Sequence, residues 1–192
     1  MRRSGAIFGA LLSASMLLGG AAHAAVSFDI SGGQYNIGSG YGCSGPGNTT
    51  TLFCASFSYT LGDLAPFILS APGDSVVLTF GSITFDEDAN EIVAGETDNL
   101  DVTAILTFLD PFAGEVKSVA AVGVFTGVIN DGDIDYSLKF DPVVKSFGTG
   151  GQFTVDFADL SWTGNATFTH TVRITLDTLP RDAGDSTAVP EP

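Results

Sequence analysis

Apolar and polar residues alternate with a period of two along most of this chain, and this alternation constrains the fold more than any other feature. It is clearest in residues 53–59, 102–108 and 168–176, where every second side chain is apolar apart from His170. This is the pattern of β-strands with one face in the core and the other in solvent. Beyond the first 24 residues no window of a dozen residues has a helical period, so the sequence predicts an all-β fold.

Further alternating segments, each bounded by turn residues, are found at residues 26–30, 76–85, 134–140 and 153–162. Two of them change phase by one residue, at Gly81 and at Ala158-Asp159, and we interpret each change as a β-bulge. Short strands joined by Gly, Asp and Asn turns predict an antiparallel two-sheet sandwich, jelly-roll or immunoglobulin-like, over residues 25–179. Most of the 15 phenylalanines fall on inward positions, which predicts a phenylalanine-rich core.

One strand pair is predicted to be a hairpin. Residues 118–129 are apolar on both alternating sets, which is typical of a central strand covered on both faces. Asn130, Asp131, Gly132 and Asp133 have the composition of a turn, and the alternating segment 134–140 follows them. The two strands are therefore expected to pair around this turn.

Residues 31–48 contain seven glycines and are predicted to form a long irregular loop. Tyr35 and Tyr41 lie within it, and because aromatic faces stack on sugar rings, both are candidate carbohydrate contacts at the surface. Trp162 ends an inward-facing run and is expected in the core.

The first 24 residues are organised like a secretory signal peptide. Arg2 and Arg3 precede an apolar run at residues 6–18, and Ala22-His23-Ala24 fits a small-x-small cleavage site. The apolar run is shorter than the ~20 residues of a membrane-spanning helix, which favours a cleaved leader over an anchor. The sequence thus predicts an exported protein that begins at residue 25.

The chain is acidic, with 22 acidic and 7 basic residues and a net charge of −15. Loss of residues 1–24 leaves five basic residues and a charge of −17. No Lys or Arg occurs between Arg3 and Lys117. Nucleic-acid binding needs clustered cations and is excluded, while charge of this size favours a soluble monomer.

Cys43 and Cys54 are the two cysteines, with ten residues between them. In an oxidising compartment such a pair is expected to form a disulfide, worth about 2–3 kcal/mol for a loop this short. A metal pair would need further His or Cys nearby, and a catalytic thiol would need a His partner and a positive environment.

Two acidic clusters are candidate calcium sites, because Ca²⁺ takes 6–8 hard oxygen ligands. Their residues are Asp86, Asp88, Asn90 and Glu91 in one cluster, and Asn130, Asp131, Asp133 and Asp135 in the other. The alternative is a pair of solvated turns, since Asp, Asn and Gly are also turn residues, and this alternative is favoured. Calcium, if bound, is expected to be weak, and no other cofactor is expected.

Catalytic signals are sparse. His170 is the only histidine after the leader, and it lies in phase with inward-facing residues, which favours a hydrogen-bonded core or rim position over a catalytic one. The chain has no G-x-S-x-G nucleophile elbow. With so many acidic residues a chance carboxylate pair carries no information, so the sequence predicts a non-enzymatic protein.

Residues 180–192 are polar and are predicted to be a flexible tail, which ends in Val189-Pro190-Glu191-Pro192. Together with the leader, this motif resembles the PEP-CTERM family of exported Gram-negative proteins. In that family an apolar helix and an Arg cluster follow the motif; the sequence here ends at Pro192 and contains neither. The resemblance implies an exosortase-type sorting enzyme as partner and a role in exopolysaccharide or biofilm matrix.

These observations predict an exported, non-enzymatic envelope or matrix protein sorted through its PEP-type motif. The alternative is a secreted carbohydrate-binding sandwich, calcium-assisted or not. In both cases polysaccharide is a candidate partner and the protein lies outside the cell or in its outer envelope.

Overall fold

The computed structural model describes residues 25–42, 52–61, 64–87 and 91–181, and these residues form an all-β fold. The strands are β1 (Val26–Ile37), β2 (Ala55–Tyr59), β3 (Phe67–Leu69), β4 (Ser75–Phe85), β5 (Glu91–Ile92), β6 (Val102–Asp110), β7 (Gly114–Val124), β8 (Gly127–Val128), β9 (Tyr136–Phe140), β10 (Val143–Phe147), β11 (Gly151–Phe157), β12 (Leu160–Trp162) and β13 (Ala166–Thr178). A 3-10 turn occupies Ala94–Glu96. Among the described residues no helix is long and apolar enough to span a membrane.

Within the described part of the chain, the strands form two large antiparallel sheets. One has six strands in the order β12-β9-β7-β6-β1-β3, and the other has five in the order β10-β11-β13-β4-β2. A small third sheet pairs β5 with β8. The arrangement confirms the predicted all-β, sandwich-like fold.

Aromatic side chains join the two large sheets. The ring of Phe28 on β1 meets that of Phe153 on β11 edge-on, with centroids 5.3 Å apart. Phe80 on β4 meets Tyr35 on β1 in the same way at 4.9 Å. Trp162 is buried against Tyr136 and Phe168, as its inward phase predicts. Edge-to-face pairs stabilise a core beyond the area that they bury.

The predicted hairpin is confirmed, but one of its strands differs from expectation. β7 pairs antiparallel with β9, with Val124 opposite Tyr136, and it ends at Val124 rather than at residue 129. The prediction that this strand is covered on both faces is wrong, because Val119 is 63% exposed. Burial alternates along β7, so the six-stranded sheet contacts the core through one face only.

Residues 31–37 of the glycine-rich segment are strand, which corrects that part of the loop predicted at residues 31–48; residues 43–48 lie outside the described residues. β1 continues to Ile37, and its residues 29–37 pair with β6, with an irregularity in register at Ser31. A Cβ on Gly33 would lie 2.6 Å from the carbonyl oxygen of Ile105, and one on Gly38 would lie 1.9 Å from that of Asn99. Glycine here permits close approach of two backbones rather than an irregular loop.

The two predicted bulges have different outcomes. At Gly81 the prediction is confirmed, because the register between β13 and β4 shifts by one residue beside it. At Ala158-Asp159 it is wrong, because the chain leaves the five-stranded sheet after Phe157 and enters the six-stranded sheet at Leu160. The alternation of apolar and polar residues changes phase there because, after the chain crosses between the sheets, the core lies on its opposite side.

The two ends of the described sandwich meet at one pole. Ala25, Pro111 and Pro180 line the same cavity of about 420 Å³, and we call this region the terminal pole. β7 begins beside it at Gly114 and runs to the opposite pole, where the connection from Phe125 to Asp135 lies. The predicted leader (residues 1–24) and the motif at residues 189–192 lie outside the described residues.

Candidate functional site

The two tyrosines proposed as surface contacts both pack against the core, and this corrects their predicted position. Tyr41 is 9% exposed; its hydroxyl donates to the carbonyl oxygen of Leu100 at 2.9 Å and accepts from the hydroxyl of Tyr136. Burial raises the pKa of Tyr41 and of Tyr136. Tyr35 is half-buried, and its ring packs against Phe57 and Phe80. Neither ring has the open face that sugar stacking needs.

His170 is fully buried, which confirms the core position predicted for it. Its Nε2 lies 3.0 Å from the carbonyl oxygen of Ala158, and its Nδ1 lies 2.7 Å from the hydroxyl of Tyr35. A carbonyl only accepts, so Nε2 carries the proton and Nδ1 accepts from Tyr35. Burial lowers the pKa of His170 to about 4, so the neutral imidazole is the form that the fold holds.

The acidic cluster from Asn130 to Asp135 uses its carboxylates to hold its own backbone. Asp135 is 4% exposed, and its Oδ2 accepts from the N–H of Gly164 and from that of Asn130. Asp131 accepts from the N–H of Asp133 at 3.0 Å. Among the residues that the structure describes, no group of three His, Cys, Asp or Glu is placed to hold a metal ion. The calcium prediction finds no support here.

The other acidic cluster is described only in part, because residues 88–90 lie outside the described ranges. Glu87 is buried, and its Oε2 accepts from the N–H of Cys54 at 3.2 Å. The side-chain amide of Asn165 donates to the carbonyl oxygen of Glu87 at 2.9 Å. Burial raises the pKa of Glu96, and the nearby Glu87 raises it further. The carboxylate and the backbone carbonyl of Glu87 thus link its loop to Cys54 and to Asn165.

Sequence reasoning missed a groove in the connection between β7 and β9. It lies between residues 125–128 and 131–135, and its volume is about 510 Å³; we call it the 125–135 groove. Phe125, Val128 and Ile134 line it and are 54%, 57% and 49% exposed. The signal was present in the sequence as three apolar residues around an Asp-Gly turn. It was hidden because all three fit the flanking strand patterns.

Loss of the Asp135 carboxylate is expected to destabilise the fold. Asp135→Ala leaves the buried N–H of Gly164 without its acceptor, and it removes the side-chain link between the β7–β9 connection and the turn from β12 to β13. We expect the free energy of unfolding to fall by about 2 kcal/mol. Urea unfolding of the variant, with Asp141→Ala at an exposed turn as control, measures the change. Equal stability of the two variants would contradict the assigned role.

The predicted disulfide concerns one described residue, Cys54, which is buried and is not a free cysteine. Its predicted partner, Cys43, lies outside the described residues, so the pairing stays a prediction. We expect the intact mass of the unreduced protein to stay unchanged on alkylation under denaturing conditions. After reduction, two alkyl groups should be added. Two thiols that alkylate without reduction would contradict the pairing.

Comparison with protein-family models, with curated proteins and with solved structures finds no match.

Proposed function

We propose that this chain is an exported, non-enzymatic protein of the bacterial envelope or extracellular matrix, sorted through its PEP-type motif. The observation that carries the non-enzymatic part is the burial of His170, the only imidazole after the leader. Its two nitrogens bond to Tyr35 and to the Ala158 carbonyl, and aromatic rings surround it. A general base needs access to substrate, and this imidazole serves packing instead.

Export and sorting rest on the two ends of the sequence. The basic, apolar and small-residue regions of the leader support secretion. The motif from Val189 to Pro192 supports recognition by an exosortase-type enzyme, as its resemblance implies. A net charge of −17 gives repulsion from acidic polysaccharide rather than adhesion, so retention in a matrix calls for a covalent or specific link.

The alternative, a secreted carbohydrate-binding module, has less support. It rested on Tyr35 and Tyr41 as open stacking surfaces, and both rings pack against the core. The carboxylates of the connection that would hold calcium accept hydrogen bonds from backbone N–H groups, two within the connection and one on Gly164. A glycan array with and without EDTA separates the alternatives, because calcium-assisted binding of sugar would appear only without EDTA.

Fractionation of a Gram-negative host that contains an exosortase tests the sorting proposal. The chain is expressed with an apolar helix and an Arg cluster added after Pro192, beside a version in which Pro190, Glu191 and Pro192 are all alanine. We expect the first to be cleaved and released from the inner membrane, and the second to stay there uncleaved. Equal processing of both, or retention of the unextended chain as firm as that of the extended chain, would overturn the proposal.

A further inference from the structure

We propose that the 125–135 groove binds an extended peptide segment that combines basic and apolar side chains. The proposal goes beyond export and sorting and depends on neither. Its geometric basis is a concave apolar surface at the pole opposite the terminal pole, rimmed by carboxylates.

The floor of the groove is unusual for a solvent-exposed surface, because three large apolar side chains lie together on it. Phe125, Val128 and Ile134 are each about half exposed, although Ile129 in the same connection is buried. A cluster of exposed apolar side chains with a polar rim is typical of an interaction site, whereas single exposed ones are ordinary.

The walls of the groove are held in place, so the site exists before a ligand arrives. The N–H of Phe125 donates to the carbonyl oxygen of Asp135 at 2.9 Å, which closes the connection at its base. Ile129 of the connection is buried, and so is Ile92, which pairs with Gly127 in the small sheet. The Asp135 carboxylate ties the connection to Gly164. A preformed surface loses less entropy on binding than one that must be ordered.

The charge of the rim selects a cationic partner. Asp131 and Asp133 line the groove and are exposed, and Glu91 lies opposite Val128 in the small β5–β8 sheet. From Phe125 to Asp135 there is no Lys or Arg. Lys or Arg side chains on a partner would therefore meet uncompensated carboxylates, which increases the association rate and disfavours acidic partners.

Two features favour a peptide over a neutral sugar. Val128 and Ile134 are aliphatic and branched, and they suit side chains better than the flat face of a sugar ring. Strand β8 pairs only with β5 among the described strands. An extended peptide can add to such an open edge through its backbone while alternate side chains enter the groove.

Titration calorimetry of the exported full chain with model hexapeptides tests the proposal. The probe is an acetylated and amidated peptide of alternating Leu and Lys, compared with Leu-Glu and Leu-Ser peptides of the same length. We expect binding of the Leu-Lys peptide alone, weakened by added salt. Phe125→Ser should weaken it at least about tenfold. Asp131→Asn with Asp133→Asn should weaken it several-fold and remove most of the salt dependence.

The matched control combines Val144→Ser and Asp141→Asn, which change an exposed apolar residue and an exposed carboxylate outside the groove. It should bind the Leu-Lys peptide like the parent chain. Equal weakening by this control and by the groove variants would show attraction by net charge and would overturn the proposal. So would absence of binding at millimolar peptide, or binding of a glucose hexasaccharide that Phe125→Ser abolishes while the peptide does not bind.

Discussion

Replacement of Phe153 by alanine is expected to lower the free energy of unfolding by about 3–5 kcal/mol. Phe153 is fully buried, and its ring contacts those of Phe28, Phe108 and Phe147. Its partners come from both large sheets, so the cavity left by alanine lies between two surfaces that cannot collapse independently. Guanidinium unfolding followed by tryptophan fluorescence measures the loss, since Trp162 is buried in the same core.

The matched control for this experiment is Phe125→Ala, which removes the same atoms from a ring that is 54% exposed. We expect it to change the free energy of unfolding by about 0.5 kcal/mol or less. Comparable losses for both variants would mean that the inner face of the five-stranded sheet does not form the core.

Acidification is expected to destabilise the fold through His170. The unfolded imidazole titrates near 6.5, and the pKa of the folded one is lowered to about 4 by burial. Between these values the unfolded chain binds the proton and the folded chain does not, so stability present at pH 7 is lost as the pH falls through this window. The loss is about 3 kcal/mol by pH 4.

Comparison with His170→Gln isolates this effect, because glutamine keeps hydrogen-bonding groups and does not titrate. Carboxylates titrate in both proteins, so the informative quantity is the difference between the two free energies of unfolding. The free energy of unfolding of the parent chain should fall relative to that of the variant from pH 7 to pH 4. Two curves that stay parallel over this range would show that His170 is solvated in the folded chain.

The strands and the inner face of the sandwich could be predicted from sequence because alternation reports burial directly. Phe168, His170 and Val172 share a phase, and burial in β13 follows it. The hairpin of β7 and β9 was also predictable, since its turn residues and flanking patterns agree. In both cases the sequence signal is local, and the long-range contacts of the fold are consistent with it.

Features that depend on which backbone lies opposite could not be predicted. A glycine run indicates a loop unless the neighbour is known, and at Gly38 the neighbour is the backbone of Asn99. The burial of Tyr41 depends on Tyr136, which is 95 residues away along the chain. A phase change has the same appearance for a bulge, as at Gly81, and for a crossing between sheets, as at Ala158. The 125–135 groove could not be predicted because its three apolar residues also fit the flanking strand patterns.

The shared position of Ala25 and Pro180 sets the orientation that a tether would impose. A strand rises about 3.3 Å per residue, so the 11 residues of β7 span roughly 35 Å from the terminal pole to Phe125. If a surface held the chain through the segment after Pro180, the terminal pole would face that surface. The opposite pole, which carries the acidic and apolar 125–135 groove, would then lie farthest from that surface, at the full length of the sandwich. It would be the first part of the protein that arriving molecules contact.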